Sequence, residues 1–197
     1  MYGIDFGTSN TVVTAGSSGS SELLELGEGG VVPSLLYYER DRRPSVGAAA
    51  AADYAEALAR LGGKAGCVDR FRFFQALKLA LKDGSFEGTR VFCEYKRVEA
   101  LAALFLREVK RLADEATGRD EDRVVLGRPV YLSEKGAPAG AAEDARLQER
   151  FRRACELAGF SEVRFVLEPV AAAMNYLGRG EIVLVFDFGG GTLDISV

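Results

Sequence analysis

One short pattern occurs twice in this 197-residue chain, once near each end. Gly3-Ile4-Asp5-Phe6-Gly7-Thr8-Ser9-Asn10 runs from an apolar strand into an aspartate, a glycine and then hydroxyl residues. Val185-Phe186-Asp187-Phe188-Gly189-Gly190-Gly191-Thr192-Leu193-Asp194 repeats the scheme with three glycines, a threonine and a second aspartate. Each copy sets an acid at the end of a strand and follows it with a tight turn free of bulky side chains. Glycine lets the backbone come close to a ligand, and successive amides in such a turn converge on an anion. Serine and threonine hydroxyls add donors. An aspartate would repel phosphate directly, but it suits Mg²⁺ or its waters, which are held through one or two carboxylates. Two such hairpins face to face would clamp a metal–phosphate group. Two ordinary β-turns are the alternative, but three consecutive glycines carry an entropic cost on folding, and the joint occurrence disfavours coincidence. G-x-x-x-x-G-K-[ST] and G-x-G-x-x-G are both missing, so the chain has neither a P-loop nor a dinucleotide fingerprint.

The segments around these turns predict an α/β protein. Tyr2 to Phe6, Thr11 to Thr14 and Leu23 to Leu26 read as short strands, and Val31 to Tyr38 as another with Pro33 near its start. The middle is more helical. Ala48 to Leu61 is Ala-rich and stops at Gly62-Gly63, Phe71 to Leu81 is helical or irregular, and Thr89 to Tyr95 is strand-like. Arg97 to Ala116 carries Leu101, Leu104, Phe105, Val109 and Leu112 at helical spacing, with Gly118 as its stop. Arg123 to Leu126 is a strand, Glu143 to Ala158 a helix ended by Gly159, Val163 to Leu167 a strand, Pro169 to Leu177 a helix and Ile182 to Phe186 an apolar strand. That alternation argues for partly parallel pairing, buried on both faces. The aromatic cluster Phe71, Phe73 and Phe74 reads as core rather than as a ligand box.

Composition removes several chemistries. Histidine is absent, which excludes Ser-His-Asp hydrolysis, Cys-His catalysis and histidine metal sites. The three cysteines are dispersed, as expected of core thiols in a reducing cytoplasm. A net charge of -4 is too small to suggest a nucleic-acid or polybasic membrane surface. No apolar run reaches the roughly 20 residues needed to span a bilayer.

Taken together, the motifs resemble those of the seventy-kilodalton heat-shock chaperone family. Gly3 to Asn10 is similar to that family's first phosphate motif and Val185 to Val197 to its second. Glu168-Pro169-Val170-Ala171-Ala172-Ala173-Met174-Asn175-Tyr176 resembles its first connecting helix. The resemblance implies a ribonuclease-H-like, actin-like ATPase lobe: a mixed sheet flanked by helices, with an inserted small α/β subdomain. Residues 1–35 and 115–197 would form the core subdomain and 36–114 the insertion. It implies ATP/ADP and Mg as cofactors, with Asp5 and Asp187 holding the Mg shell through water. Gly7, Thr8, Ser9 and Asn10 would wrap the phosphates, with Gly189, Gly190, Gly191 and Thr192 opposite. Glu168 would sit near the attacking water and Asp194 would support the water network.

The family also uses a lysine from the inserted subdomain. Lys78 is the candidate, with Lys64 and Lys82 as alternatives; its flanks lack the family's Ala-Lys-Arg context, and a solvated helix lysine is the competing reading. Gly127-Arg128-Pro129 departs from the family's Val-Pro-Ala-Tyr-like stretch and is closer to a divergent bacterial, YegD-like branch. Arg128 is therefore either a cleft residue or a surface arginine.

The implied function is the N-terminal half of an ATP-binding and ATP-hydrolysing, chaperone-like domain whose turnover drives lobe closure. A filament-forming actin-like protein, or a nucleotide sensor without chaperone activity, is the alternative. Its partners would be ATP, a missing second lobe, protein clients, and nucleotide-exchange or co-chaperone factors. No nucleic acid or membrane is expected. The chain ends in what should be a strand, as a piece of a longer protein would, with second lobe and peptide-binding domain absent. Since the family's adenosine pocket comes mainly from the second lobe, this stretch alone should bind ATP weakly and hydrolyse it negligibly.

Overall fold

The computed structural model describes residues 1–17, 19–61, 70–130, 140–176, 182–189 and 193–196, with only the backbone described at 17, 141, 175, 187, 188, 193, 194 and 196. Its centre is a mixed sheet built on β1 (Tyr2–Phe6). On one side β1 pairs antiparallel with β2 (Asn10–Ser17), which also pairs with β3 (Ser20–Leu23) and β4 (Val31–Pro33). On the other side it runs parallel to β10 (Arg123–Arg128), which is parallel to β11 (Glu162–Leu167).

The two-residue period of these strands decides what lies on each face. Tyr2, Ile4 and Phe6 point with Val13, Val124 and Leu126 into the main core. That face is covered by two helices. α3 (Val98–Thr117) contributes Leu101, Phe105 and Val109, and α4 (Ala141–Ala158) contributes Leu147, Phe151 and Cys155. Phe105 stacks on Phe6 with ring centroids 5.5 Å apart. Two predicted stops hold: Gly118 and Gly159 follow these helices at φ 65° and φ 108°, left-handed positions that glycine fills without strain, while Gly62-Gly63 lies outside the described residues.

The opposite face carries the alternate residues Gly3, Asp5, Val12, Thr14, Val125, Gly127 and Val166. They floor a cleft of about 390 Å³. Its remaining walls come from α5 (Glu168–Ala173) and from Val185 and Phe186 of β12 (Val185–Phe188), which pairs antiparallel with β13 (Leu193–Ser196).

Between β4 and β10, β5 (Leu36–Glu39) pairs with β6 (Ser45–Val46) and β7 (Phe71–Phe74). Against that sheet lies α1 (Gly47–Leu61). Tyr37, Ala50, Ala57 and Phe71 make a second, smaller cluster joined by Tyr54 and Phe73, whose rings stack at 4.3 Å. Phe71 and Phe73 are thus core residues, and Phe74 packs on the larger core. α2 (Leu77–Lys82), the hairpin of β8 (Gly88–Val91) and β9 (Glu94–Arg97), and α3 complete the segment. Leu77, Leu81, Val91 and Val98 join the main core, so the segment from 36 to 114 contributes to both clusters.

Several expectations change. Thr89 to Tyr95, read as one strand, is the hairpin of β8 and β9 turning at Phe92, and the strand read at Leu23 to Leu26 is β3, Ser20–Leu23. The strand expected over Val31 to Tyr38 is two strands in different sheets, because the chain leaves the central sheet at Ser34. Phe71 to Leu81 is a strand and a helix, divided by Ala76 in the left-handed region at φ 54°, a turn made without glycine. β12 does not extend the parallel sheet; it folds back antiparallel on β13. No described helix is long and apolar enough to cross a membrane.

Candidate functional site

The first turn is shaped by glycine and braced from behind. A Cβ at Gly7 would lie 2.2 Å from the Asn10 carbonyl oxygen, so no larger residue fits there. Buried Ser34 holds the turn: its amide donates to the Ser9 carbonyl at 2.7 Å and its Oγ donates to the Gly7 carbonyl at 2.8 Å. Thr11 Oγ1 and Ser34 Oγ are 2.9 Å apart, fully buried. Thr8 is half-buried, and Ser9 and Asn10 are exposed at the tip. The sequence reading missed Ser34. The only local signal was a serine directly after Pro33, and its role depends on contacts 27 residues away.

Asp5 stands on the cleft face of β1, exposed between buried Ile4 and Phe6. Glu168 is the first residue of α5 and lines the same cleft. Lys78 reaches it from α2: Nζ donates to Glu168 Oε1 at 2.7 Å, with the two side chains only 10% and 12% exposed. Lys78 is therefore not a solvated helix lysine. Lys82 is buried one turn later, and Lys64 lies outside the described residues. Gly127 makes room for the pair, since a Cβ there would be 3.2 Å from Glu168 Cγ.

Arg128 is neither a cleft residue nor a free surface arginine. It turns toward α4, where Asp144 accepts its Nη2 at 2.9 Å and Gln148 its Nη1 at 2.5 Å.

The second turn is only partly described. β12 and β13 set Asp187 directly opposite Asp194, and Gly189 is exposed. Gly190, Gly191 and Thr192 lie outside the described residues. Among the described residues no group of three or more metal-ligating side chains gathers.

Around this corner the surface is apolar. Val170, Met174, Tyr176, Leu184, Phe186 and Ile195 are all exposed, and Ile182 is 87% exposed. All seven lie on the stretch from α5 to β13.

A mixed sheet flanked by helices, with Asp5 and Glu168 lining one cleft, is consistent with the actin-like ATPase fold. The chain matches the Hsp70 protein family over residues 1–197 and belongs to that family. It is 35% identical to an HscA chaperone homologue of Azotobacter vinelandii over 99% of this chain and 32% of that protein. It is 29% identical to a DnaK chaperone of Elusimicrobium minutum over 100% of this chain and 29% of that protein. A DnaK of Thermoplasma acidophilum is 30% identical over 100% of this chain and 30% of its own length. The chain thus spans about a third of the length of these curated relatives.

Proposed function

We propose that this lobe binds Mg-ATP at the cleft floored by Asp5 and Gly127 and takes part in hydrolysing it. The observation that carries the reading is the Lys78–Glu168 pair, two largely buried opposite charges at 2.7 Å seated against Gly127 on the cleft floor. Such a pair at a cleft rim is costly to hold for stability alone. The residues suit the ligand. Gly7 lets the turn close on the Asn10 carbonyl, and Thr8, Ser9 and Asn10 would present donors to a phosphate. Gly189, Gly190, Gly191 and Thr192 would close from the other hairpin.

Mg²⁺, when bound, supplies neutralising charge to the phosphates. Asp5 and Asp187 would hold it through waters, and a cation would relieve the repulsion expected between acids at opposed positions such as Asp187 and Asp194. Phosphoryl transfer depends on positioning and electrostatics. Lys78 would orient the terminal phosphate, Glu168 would orient the attacking water, and Asp194 would order the waters around it.

In this reading residues 1–35 and 115–197 form the phosphate-binding core and 36–114 the insertion that delivers Lys78. The exposed apolar corner at α5 and β12 receives a second lobe, and hydrolysis drives closure of the two. Protein clients and exchange or co-chaperone factors would act on the complete protein, in the cytoplasm.

ATP turnover by the full-length protein tests this. Asp5→Asn and Lys78→Ala should each lower kcat by at least about tenfold. Unchanged hydrolysis in either variant would overturn the assignment.

A further inference from the structure

We propose that Arg128 is a positioning residue for Glu168, acting through the end of strand β10; the proposal rests on the function given above. Arg128 does not line the cleft, yet its side chain is 12% exposed and is among the most heavily hydrogen-bonded in the described chain. Its guanidinium donates to both carboxylate oxygens of Asp144, at 2.9 and 3.1 Å, and to Gln148 Oε1 at 2.5 Å. It also donates to the carbonyls of Pro129 at 3.2 Å and Val130 at 3.4 Å. A forked guanidinium fixes direction as well as distance. The last residue of β10 is thereby tied to the first two turns of α4.

That tie reaches Glu168 through register and contact. Gly127 is opposite Val166 and Arg128 opposite Leu167, so Glu168 is the next residue to leave β11 beside the tied end. The stem of Glu168 lies over the Gly127 backbone, in a seat that a Cβ would narrow to 3.2 Å from Cγ and 3.7 Å from the Ile4 carbonyl. A displacement of β10 at Arg128 therefore moves the surface on which Glu168 rests.

The same helix holds the other half of the pair. Arg150 of α4 donates to Glu99 Oε1 at 2.9 Å and to the carbonyls of Asp83 and Phe86, each at 2.6 Å. Those carbonyls lie just beyond α2, which carries Lys78. α4 thus registers Lys78 through Arg150 and Glu168 through Arg128. A charge-clamped arginine next to a bare glycine at this strand end is the arrangement a positioning role requires. A role confined to stability would not need the Gly127 seat.

The test uses the full-length protein with Arg128→Met, Arg128→Lys and wild type, each confirmed folded by its thermal transition. Arg128→Met should lower kcat for ATP about tenfold while KM stays within about twofold, and Arg128→Lys should recover at least about a third of the loss. Independently of turnover, acylation of the Lys78 amine without nucleotide, read by mass spectrometry, should rise severalfold in Arg128→Met because Glu168 no longer sits against it. Unchanged kcat with unchanged Lys78 labelling overturns the proposal, even where thermal stability falls. A wild type that does not turn over ATP sinks the functional reading instead, and Lys78 labelling then decides the positioning claim alone. Should Arg128→Met fail to fold, Asp144→Ala removes the carboxylate end of the same tie from its more exposed partner and should show the same pattern at smaller size.

Discussion

The Lys78–Glu168 pair makes a definite thermodynamic prediction. Its charged atoms are 2.7 Å apart and both side chains are nearly buried. At an effective dielectric of about 20, two unit charges at that separation attract by roughly 6 kcal/mol. Removing each ion from water costs several kcal/mol, so most of that attraction is offset. The net coupling should be about 1–3 kcal/mol. Lys78→Met leaves the Glu168 carboxylate facing an apolar stem and should destabilise by about 2–4 kcal/mol, slightly less than for a fully interior pair. Glu168→Gln keeps the shape and a carbonyl acceptor, so its cost should be smaller. The double variant should be less destabilised than the sum of the singles by the coupling energy. Urea unfolding of the four proteins measures the cycle, with equal m-values required before stabilities are compared. Because the pair is shielded, the coupling should also change little with added salt, unlike that of a surface pair. A coupling below about 0.5 kcal/mol would mean the contact does not persist in solution, and the site would lose the feature on which it is built.

Two further outcomes follow from packing and charge. Phe105→Ala, which empties the space beneath Phe6 and so undercuts the strand carrying Asp5, should cost about 3–5 kcal/mol in chemical unfolding; a loss under about 2 would mean the ring is not the support described. Glu121 is held down to a pKa of about 2 by Arg123 first and then by the Met1 ammonium, which lies 2.5 Å away. A depressed carboxylate stabilises above its unfolded value and loses that contribution as pH falls, here from about 4.5 toward 2. Glu121→Gln should therefore lower stability at pH 7 by at most about 3 kcal/mol, nearer 1–2 after solvent screening. The two proteins should converge below about pH 2, and a gap that stays constant from pH 7 to 2 would refute the linkage.

What the sequence made legible follows a physical division. Features set by local chemistry were readable: the period of Tyr2, Ile4 and Phe6 against Asp5, the glycine stops at 118 and 159, and the acidic turn whose Gly7 admits no Cβ. Lys78 was readable only as one of three lysines. Its burial against Glu168 is created by a partner 90 positions away, and no flanking pattern announces it. Ser34 and the Gly127 seat were unreadable for the same reason, since each matters through a partner that the fold supplies. The break between β7 and α2 was hidden differently. Ala76 adopts a left-handed conformation that alanine avoids at a cost of about 1–2 kcal/mol. Local propensity therefore argued for a continuous element where tertiary packing imposed a turn. That turn begins the helix carrying Lys78, so a backbone conformation that local propensity disfavours is what delivers a buried cation to Glu168. A strained entry held by the surrounding core, with the far end of α2 fixed by Arg150, leaves Lys78 little freedom to leave Glu168 except toward a competing anion.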